Sequence, residues 1–353
     1  MTAGSRSAAT AAPFSRRAAL LGTLSLACGR EPASAPARAP SVPRYTGKLE
    51  DYVPAAGLRW LLRGSPAKLA ESPSFRPALD LLLTPARLKA VAQTTGFPLE
   101  EVTRGVIARY DLGTLYLAEL PQATAARARE CFESRQVHDI TRRTPDPNIV
   151  VLSGINEGIP VGLVTLDDRA VAYAVGDPML WRVVEAYARG RLKAKRAFEG
   201  AALAGLESET EGTIASAYVP GPFEDRWADA AAGLLSITTA LSAKLTATTP
   251  GHALLELALH GDFADSNAEE RLRSTYMTVA SSSTGTLLGL GSALDARTVI
   301  SSANDRVALL VALPLTDMAQ GARAVTSGDL TEIFSIPRAT SVSPAPTSSP
   351  DLR

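Results

Sequence analysis

Histidine, cysteine and aromatic residues are scarce in this chain of 353 residues. There are three His, two Cys and 5% aromatics. Two cysteines cannot build a disulfide framework. An excess of either charge is also missing. Lys plus Arg is 36 and Asp plus Glu is 36, which excludes a general nucleic-acid binder, because that binding rests on surplus cations at phosphates. No uninterrupted apolar run reaches the ~18 residues that a membrane-spanning helix needs. The motifs G-x-S-x-G, H-E-x-x-H, the Walker loop and the EF-hand loop are absent, which removes the signatures of the common hydrolases and nucleotide enzymes. What is present is 46% hydrophobic and 20% charged residues, too apolar for a wholly disordered chain. The length suits one large domain or two ordinary ones.

The N-terminus reads as an export signal, residues 1–27. Arg6, Arg16 and Arg17 are its only charges, and the apolar stretch Ala18 to Ala27 follows directly. A basic region, a short apolar region and small residues before a cut site make a secretory signal. Ten residues are too short for a stable membrane anchor. Ser15-Arg16-Arg17-Ala18-Ala19-Leu20 resembles a twin-arginine signal, which exports folded proteins, with Ala19 where a larger apolar residue is usual. Leu24-Ser25-Leu26-Ala27-Cys28 resembles a bacterial lipobox, with Ser25 where Leu is usual. That resemblance implies a diacylglyceryl group on Cys28 and cleavage before it. A plain signal with an incidental Cys is the alternative. Residues 28–46 are rich in Pro, Ala and Ser and read as an extended tether. Loss of residues 1–27 leaves 33 basic and 36 acidic residues, a net charge of −3.

The body is expected over 47–336, as one unit or two halves, before a Pro/Ser/Thr-rich disordered tail, 337–353. Apolar runs bounded by turn residues predict strands at 58–63, 106–110, 114–120, 149–152, 161–166, 170–175, 213–219, 234–248, 252–260, 298–302 and 307–313. Helices are expected at 76–93, 122–133, 178–188, 198–206, 266–283 and 316–325. Asp177-Pro178 supplies one helix start. Ser266 with Glu269 looks like a capping box for another, with Leu272, Tyr276 and Val279 on its apolar face. The predicted class is α+β, an antiparallel or mixed sheet with helices packed on it. Hairpin spacing counts against a doubly wound α/β fold. The order β-α-β-β-α occurs over 58–133 and again over 252–325, a pseudo-repeat in element order without sequence identity.

Candidate chemistry is thin. His252, Glu256 and His260 share one face of a strand. Eight residues separate the two histidines by ~26 Å, too far for one ion, so a polar sheet face is expected. His138-Asp139 is a lone His–Asp pair. Cys131 reads as a small hydrophobe in a helix. Gly289-Leu290-Gly291 starts like a dinucleotide loop but lacks the third glycine. No catalytic residue, metal ligand or cofactor is expected. Arg189, Arg191, Lys193, Lys195 and Arg196 follow a helix end, where cations favour the dipole; contact with an anionic envelope polymer is the other reading. Phe223 and Trp227, in the loop VPGPFEDRW, either anchor a partner or tuck under the loop as a satellite core.

Three segments together, SRRAALL with Cys28, Thr95 to Val102 (TGFPLEEV) and Ala186 to Leu192 (AYARGRL), resemble uncharacterised exported lipoproteins of the myxobacterial type. The resemblance implies a place in the cell envelope and carries over no catalytic residue. The expected function is a non-enzymatic binding or assembly role, with the membrane reached through Cys28 and an envelope protein or polymer as partner. The alternative is an exported enzyme whose site is assembled from residues distant in sequence.

Overall fold

The computed structural model describes Tyr45, 47–134, 137–207, 213–264, 267–282, Gly285, Leu290 and 298–325. The chain separates into two units, 1–41 and 42–353, and every described residue belongs to the second. The signal, most of the tether, Cys28, Arg16, Arg17, Ser266, the glycine pair at 289 and 291, and the tail lie outside the described residues.

Twelve strands among the described residues form one sheet. They are β1 (Leu58–Gly64), β2 (Arg104–Tyr110), β3 (Thr114–Glu119), β4 (Val137–Asp146), β5 (Ile149–Asn156), β6 (Ile159–Leu166), β7 (Ala170–Val175), β8 (Thr213–Pro220), β9 (Thr238–Ala247), β10 (His252–Gly261), β11 (Val299–Ala303) and β12 (Arg306–Pro314). Their order is β11-β12-β10-β9-β8-β1-β2-β3-β7-β6-β5-β4, and every pairing is antiparallel. The helices are α1 (Pro66–Glu71), α2 (Arg76–Leu82), α3 (Pro85–Thr95), α4 (Gln122–Ser134), α5 (Pro178–Ala188), α6 (Ala268–Ser281) and α7 (Leu315–Val325). The class is α+β. The β-α-β-β-α order recurs, yet the sheet positions differ: β1-β2-β3 lie in sequence, whereas β12 inserts between β10 and β11.

Period-2 alternation sends the two halves of each strand to opposite layers. On β6 and β7, Val164, Leu166, Ala170, Ala172 and Ala174 meet Leu180, Trp181, Val184 and Tyr187 of α5. Val161, Leu163 and Val171 face the other way, onto Ala125, Ala128 and Phe132 of α4. Asp177 starts α5 as expected, its carboxylate accepting from the Met179 N–H at 2.8 Å, with Pro178 in the first turn. Gly162 lies beneath the indole of Trp181; a Cβ there would stand 2.4 Å from Trp181 Cδ2. At the other end of the sheet, Leu259, Val307, Leu309 and Val311 pack on Leu272 and Tyr276 of α6.

Several local expectations need correction. Residues 198–206 form no α-helix: a 3₁₀ turn, Ala197–Glu199, leads into further turns. Residues 234–237 are 3₁₀, and β9 begins at Thr238. Asn267, at φ 46°, precedes α6 and makes no side-chain cap. The buried stripe of α6 is Ala268, Leu272, Tyr276 and Ala280, while Val279 is exposed. Strand β4 was not anticipated.

Candidate functional site

The sheet has two ends. One, called the tether end after the tether expected to precede it, holds Tyr45, whose N–H donates to Asp167 in the β6–β7 turn at 2.5 Å. Gly64, Arg104, Glu119 and Thr213 lie at that end of their strands. The segment that follows is pinned by charge. Glu50 is buried, with a carboxylate oxygen 3.6 Å from Arg63 Nη1 and the other 3.4 Å from Arg104 Nη2. Arg104 also donates to the Gly47 carbonyl at 2.9 Å. Lys48 pairs with Glu207 at 3.0 Å and Arg196 with Asp51 at 3.1 Å.

Arg63 is the centre of this arrangement. It is only 6% exposed. It donates to Ser216 Oγ at 2.7 Å, Tyr218 Oη at 2.8 Å and the Glu207 carbonyl at 2.9 Å. The rings of Phe198 and Tyr218 lie 5.4 and 5.2 Å from its guanidinium carbon. A buried cation needs such a shell, since an unpaired charge out of water costs several kcal/mol.

The register carries Arg63's row across the sheet. Leu117, Val106, Arg63, Ser216, Lys244, Glu256 and Leu310 are successive cross-strand partners on one face. The row is apolar on the side near α5, polar from Arg63 to Glu256, and apolar again at Leu310. Helices α2, α6 and α7 pack on the opposite face of this half. On the polar half, Glu256 pairs with Arg306. His260 is directly across from Arg306, so the Arg306 side chain reaches Glu256 over Ala258 and Ala308. Burial lowers the Lys244 pKa, and Arg306 and Arg63 add to that. Burial likewise pushes His260 below its ordinary value, with Asp305 opposing and Lys244 adding. The His260 Nε2 is 2.8 Å from Ser242 Oγ.

A cleft of ≈430 Å³ opens at the tether end. Its charged lining is Glu50, Arg63, Lys68, Arg104 and Glu119, with Ser65, Thr103 and Thr213 among its hydroxyls. Burial, followed by Glu119, raises the Tyr45 phenol well above its usual range.

At the opposite, loop end, large apolar side chains stand in solvent. Leu112 is 78% exposed, Trp227 59% and Met179 54%. Gly113 brings the β2–β3 turn against α5: a Cβ there would lie 2.9 Å from Asp177 N and from Leu180 Cδ1. Arg59 pairs with Asp111 at 2.5 Å and also feels Glu224. Strand β8 ends at this end with Pro220, so the loop that follows it starts here too.

The two aromatics singled out in that loop divide. Phe223 is half-buried against Leu234 and its neighbours, and Trp227 is exposed. His252 and His260 sit at opposite ends of β10, facing Pro314 and Arg306. His138 is exposed on β4. Among the described residues no group of three His, Cys, Asp or Glu could hold a metal. Cys131 is half-buried, its thiol donating to the Gln93 and Thr94 carbonyls at 3.2 and 3.4 Å where α3 ends against α4. Of the cation run, Arg189 pairs with Glu185 at 3.0 Å and Arg196 with Asp51, leaving Arg191, Lys193 and Lys195 on the surface. The Glu50–Arg63–Arg104 cluster was missed; the one signal for it is Arg63 sharing the inward face of Leu61.

No family model matches this chain, and no curated protein matches it. Two solved structures are similar in outline. Crystal form III of TP0453 covers 78% of this chain and 97% of its own, with a TM-score of 0.44 and 12% identity. Crystal form I of TP0453 covers 79% and 97%, at 0.41 and 11%. Similarity at this level transfers no residue role. No helix of the described residues is long and apolar enough to cross a membrane.

Proposed function

We propose that this is a lipid-anchored binding or assembly protein of the bacterial cell envelope. The Arg16-Arg17 signal exports it, acyl chains on Cys28 hold it at the membrane, and its loop end meets an envelope protein. The observation that carries this reading is the arrangement along the strands. The chain comes in at the tether end, and Leu112, Met179 and Trp227 stand exposed at the other. Strands of about seven residues set the ends roughly 23 Å apart. Exposed apolar groups cost free energy in water and mark interaction surfaces when they gather. Trp and Met are enriched at interface cores. Two or three acyl chains, at about 0.8 kcal/mol per buried CH₂, give stable anchoring.

Two variants test it. Cys28→Ala protein should leave the membrane fraction or accumulate unprocessed, and intact mass of the native mature protein should carry the acyl increment. An unmodified Cys28 in that protein would sink the anchor. Trp227→Ala should fold normally and lose retention of its envelope partner; unchanged retention counts against the loop end.

The enzyme reading has one observation in its favour, the 2.8 Å contact of Ser242 with His260. Against it, Ser242 is 7% exposed in the middle of β9, beneath the imidazole that would have to activate it. A fluorophosphonate should therefore leave Ser242 unlabelled. Labelling there would revive the enzyme.

A further inference from the structure

The face of the sheet that carries α2, α4, α6 and α7 has a gap in its cover. Val161, Leu163 and Val171 pack under α4, with Tyr116 and Tyr173 beside them. Leu259, Val307 and Leu309 pack under α6, with Leu241 and Leu257 beside them. Strand register sets Ile107, Leu62, Ala217 and Ala243 in one row between Tyr116 and Leu257, and these four join no packed cluster on that face. Trp60 stands beside Leu62 on the same face, directly across from Arg109. Helix α3 follows α2 and ends against α4, yet it buries none of its residues. The strip therefore stays open, with Trp60 39% and Leu62 38% exposed. We infer that it is the docking site for one amphipathic α-helix of a partner protein, which rests on the envelope partner proposed above.

Backbone chemistry, width and charge select a helix. Strand β1 is paired with β2 on one side and β8 on the other, so no extended segment can add to it. An occupant lying on the face must satisfy its own backbone groups, and a helix does. The uncovered strands β2, β1 and β8 span ~14 Å at ~4.8 Å per strand, which admits one helix of ~10–12 Å with its side chains. The flanking α4 and α6 rise by about that same diameter above the floor, so the flat face of a second copy cannot reach Leu62. Arg109 supplies the charge. Its Nη1 donates to Thr114 Oγ1 at 2.7 Å, and it has no carboxylate partner among the described residues. A fitting helix sets an apolar stripe, three or four residues apart, on Trp60, Leu62 and Ala217, and a carboxylate at the Arg109 end. A bare acyl chain offers nothing to Arg109.

The test places a photoreactive phenylalanine analogue at position 60, 62 or 217 of the full-length chain in its native membrane, and maps the adducts by peptide mass spectrometry. Trp60 and Leu62 are exposed, so those two proteins should keep the parent melting temperature. All three positions should label one segment of one partner, at residues three or four apart. Arg109→Gln should keep the melting temperature and cut the position 62 adduct at least threefold. Attachment points two residues apart would mean an extended strand. Adducts on lipid, on a second copy or on α3 of the same chain would each give the strip another occupant. Any of these, or an adduct indifferent to Arg109→Gln, would overturn the assignment. A partner adduct from position 227 with none from 62 would overturn the strip alone; none from either would overturn the envelope partner with it.

Discussion

Arg63 shows how one residue can join distant parts of a chain. Its strand neighbour on the inward face, Leu61, is fully buried, and Arg63 follows it into the same layer. Burial is tolerable because Glu50, Ser216, Tyr218 and the Glu207 carbonyl engage the guanidinium in full. Arg63→Met would leave those partners unsatisfied and Glu50 with Arg104 alone. Removing one member of a buried pair costs about 3 kcal/mol. The urea midpoint should fall accordingly with an unchanged slope. Arg63→Lys, which keeps charge but loses the planar fork, should fall between. His260 offers a second test at this scale. Burial holds its folded pKa below the ordinary 6.5. Above about pH 6.5 neither state binds the proton, so His260 adds no pH dependence. As pH falls below that, the unfolded chain protonates first and stability drops. The loss levels off once pH passes the lowered folded value. Urea titrations at pH 7.5 and 5.5 should show this fall, and His260→Gln should reduce it. An equal fall in the variant would assign the effect elsewhere.

At the scale of elements, most of the sheet was legible because apolar alternation and turn chemistry agree. Asp167-Asp168 and Glu157-Gly158 take positive φ in tight turns between paired strands, as Asp and Gly favour, with Glu157 the exception among the four. Strand β4 was not legible. Its sequence VHDITRRTPD has no apolar period, since it is an edge strand exposed along most of its length. Arg142 and Arg143 on it pair with Glu133 and Glu185, charges that suit an edge open to solvent. The expected helix at 198–206 failed for a different reason. Gly200 and Gly205 interrupt it, and its one buried anchor, Leu203, is reached by turns. The polar cluster was almost invisible in sequence, because Arg63, Arg104 and Ser216 come from three strands and Glu50 from the 3₁₀ turn Leu49–Tyr52, and only the fold brings them together. Packing between elements can be probed at Gly162, where α5 crosses β6. Gly162→Ala pushes a methyl into Trp181, and overpacking of this kind costs about 2 kcal/mol. Thermal unfolding should report that loss with quenched or shifted tryptophan emission. A melting temperature within a degree of the parent would mean that α5 sits more loosely than described.

The whole molecule is organised along its strands. Charge pins the incoming chain at one end, through Glu50, Lys48, Asp51 and the Tyr45 N–H. Exposed Leu112, Met179 and Trp227 occupy the other. On the proposed reading, entry of the chain at Tyr45, away from these side chains, leaves them free to meet a partner. The measurement that tests this most directly is photo-crosslinking in intact membranes, with a photoreactive residue in place of Trp227 or, separately, of Lys68. The account predicts a discrete adduct from position 227 that position 68 does not give. No adduct from 227, or the same products from both positions, would contradict it.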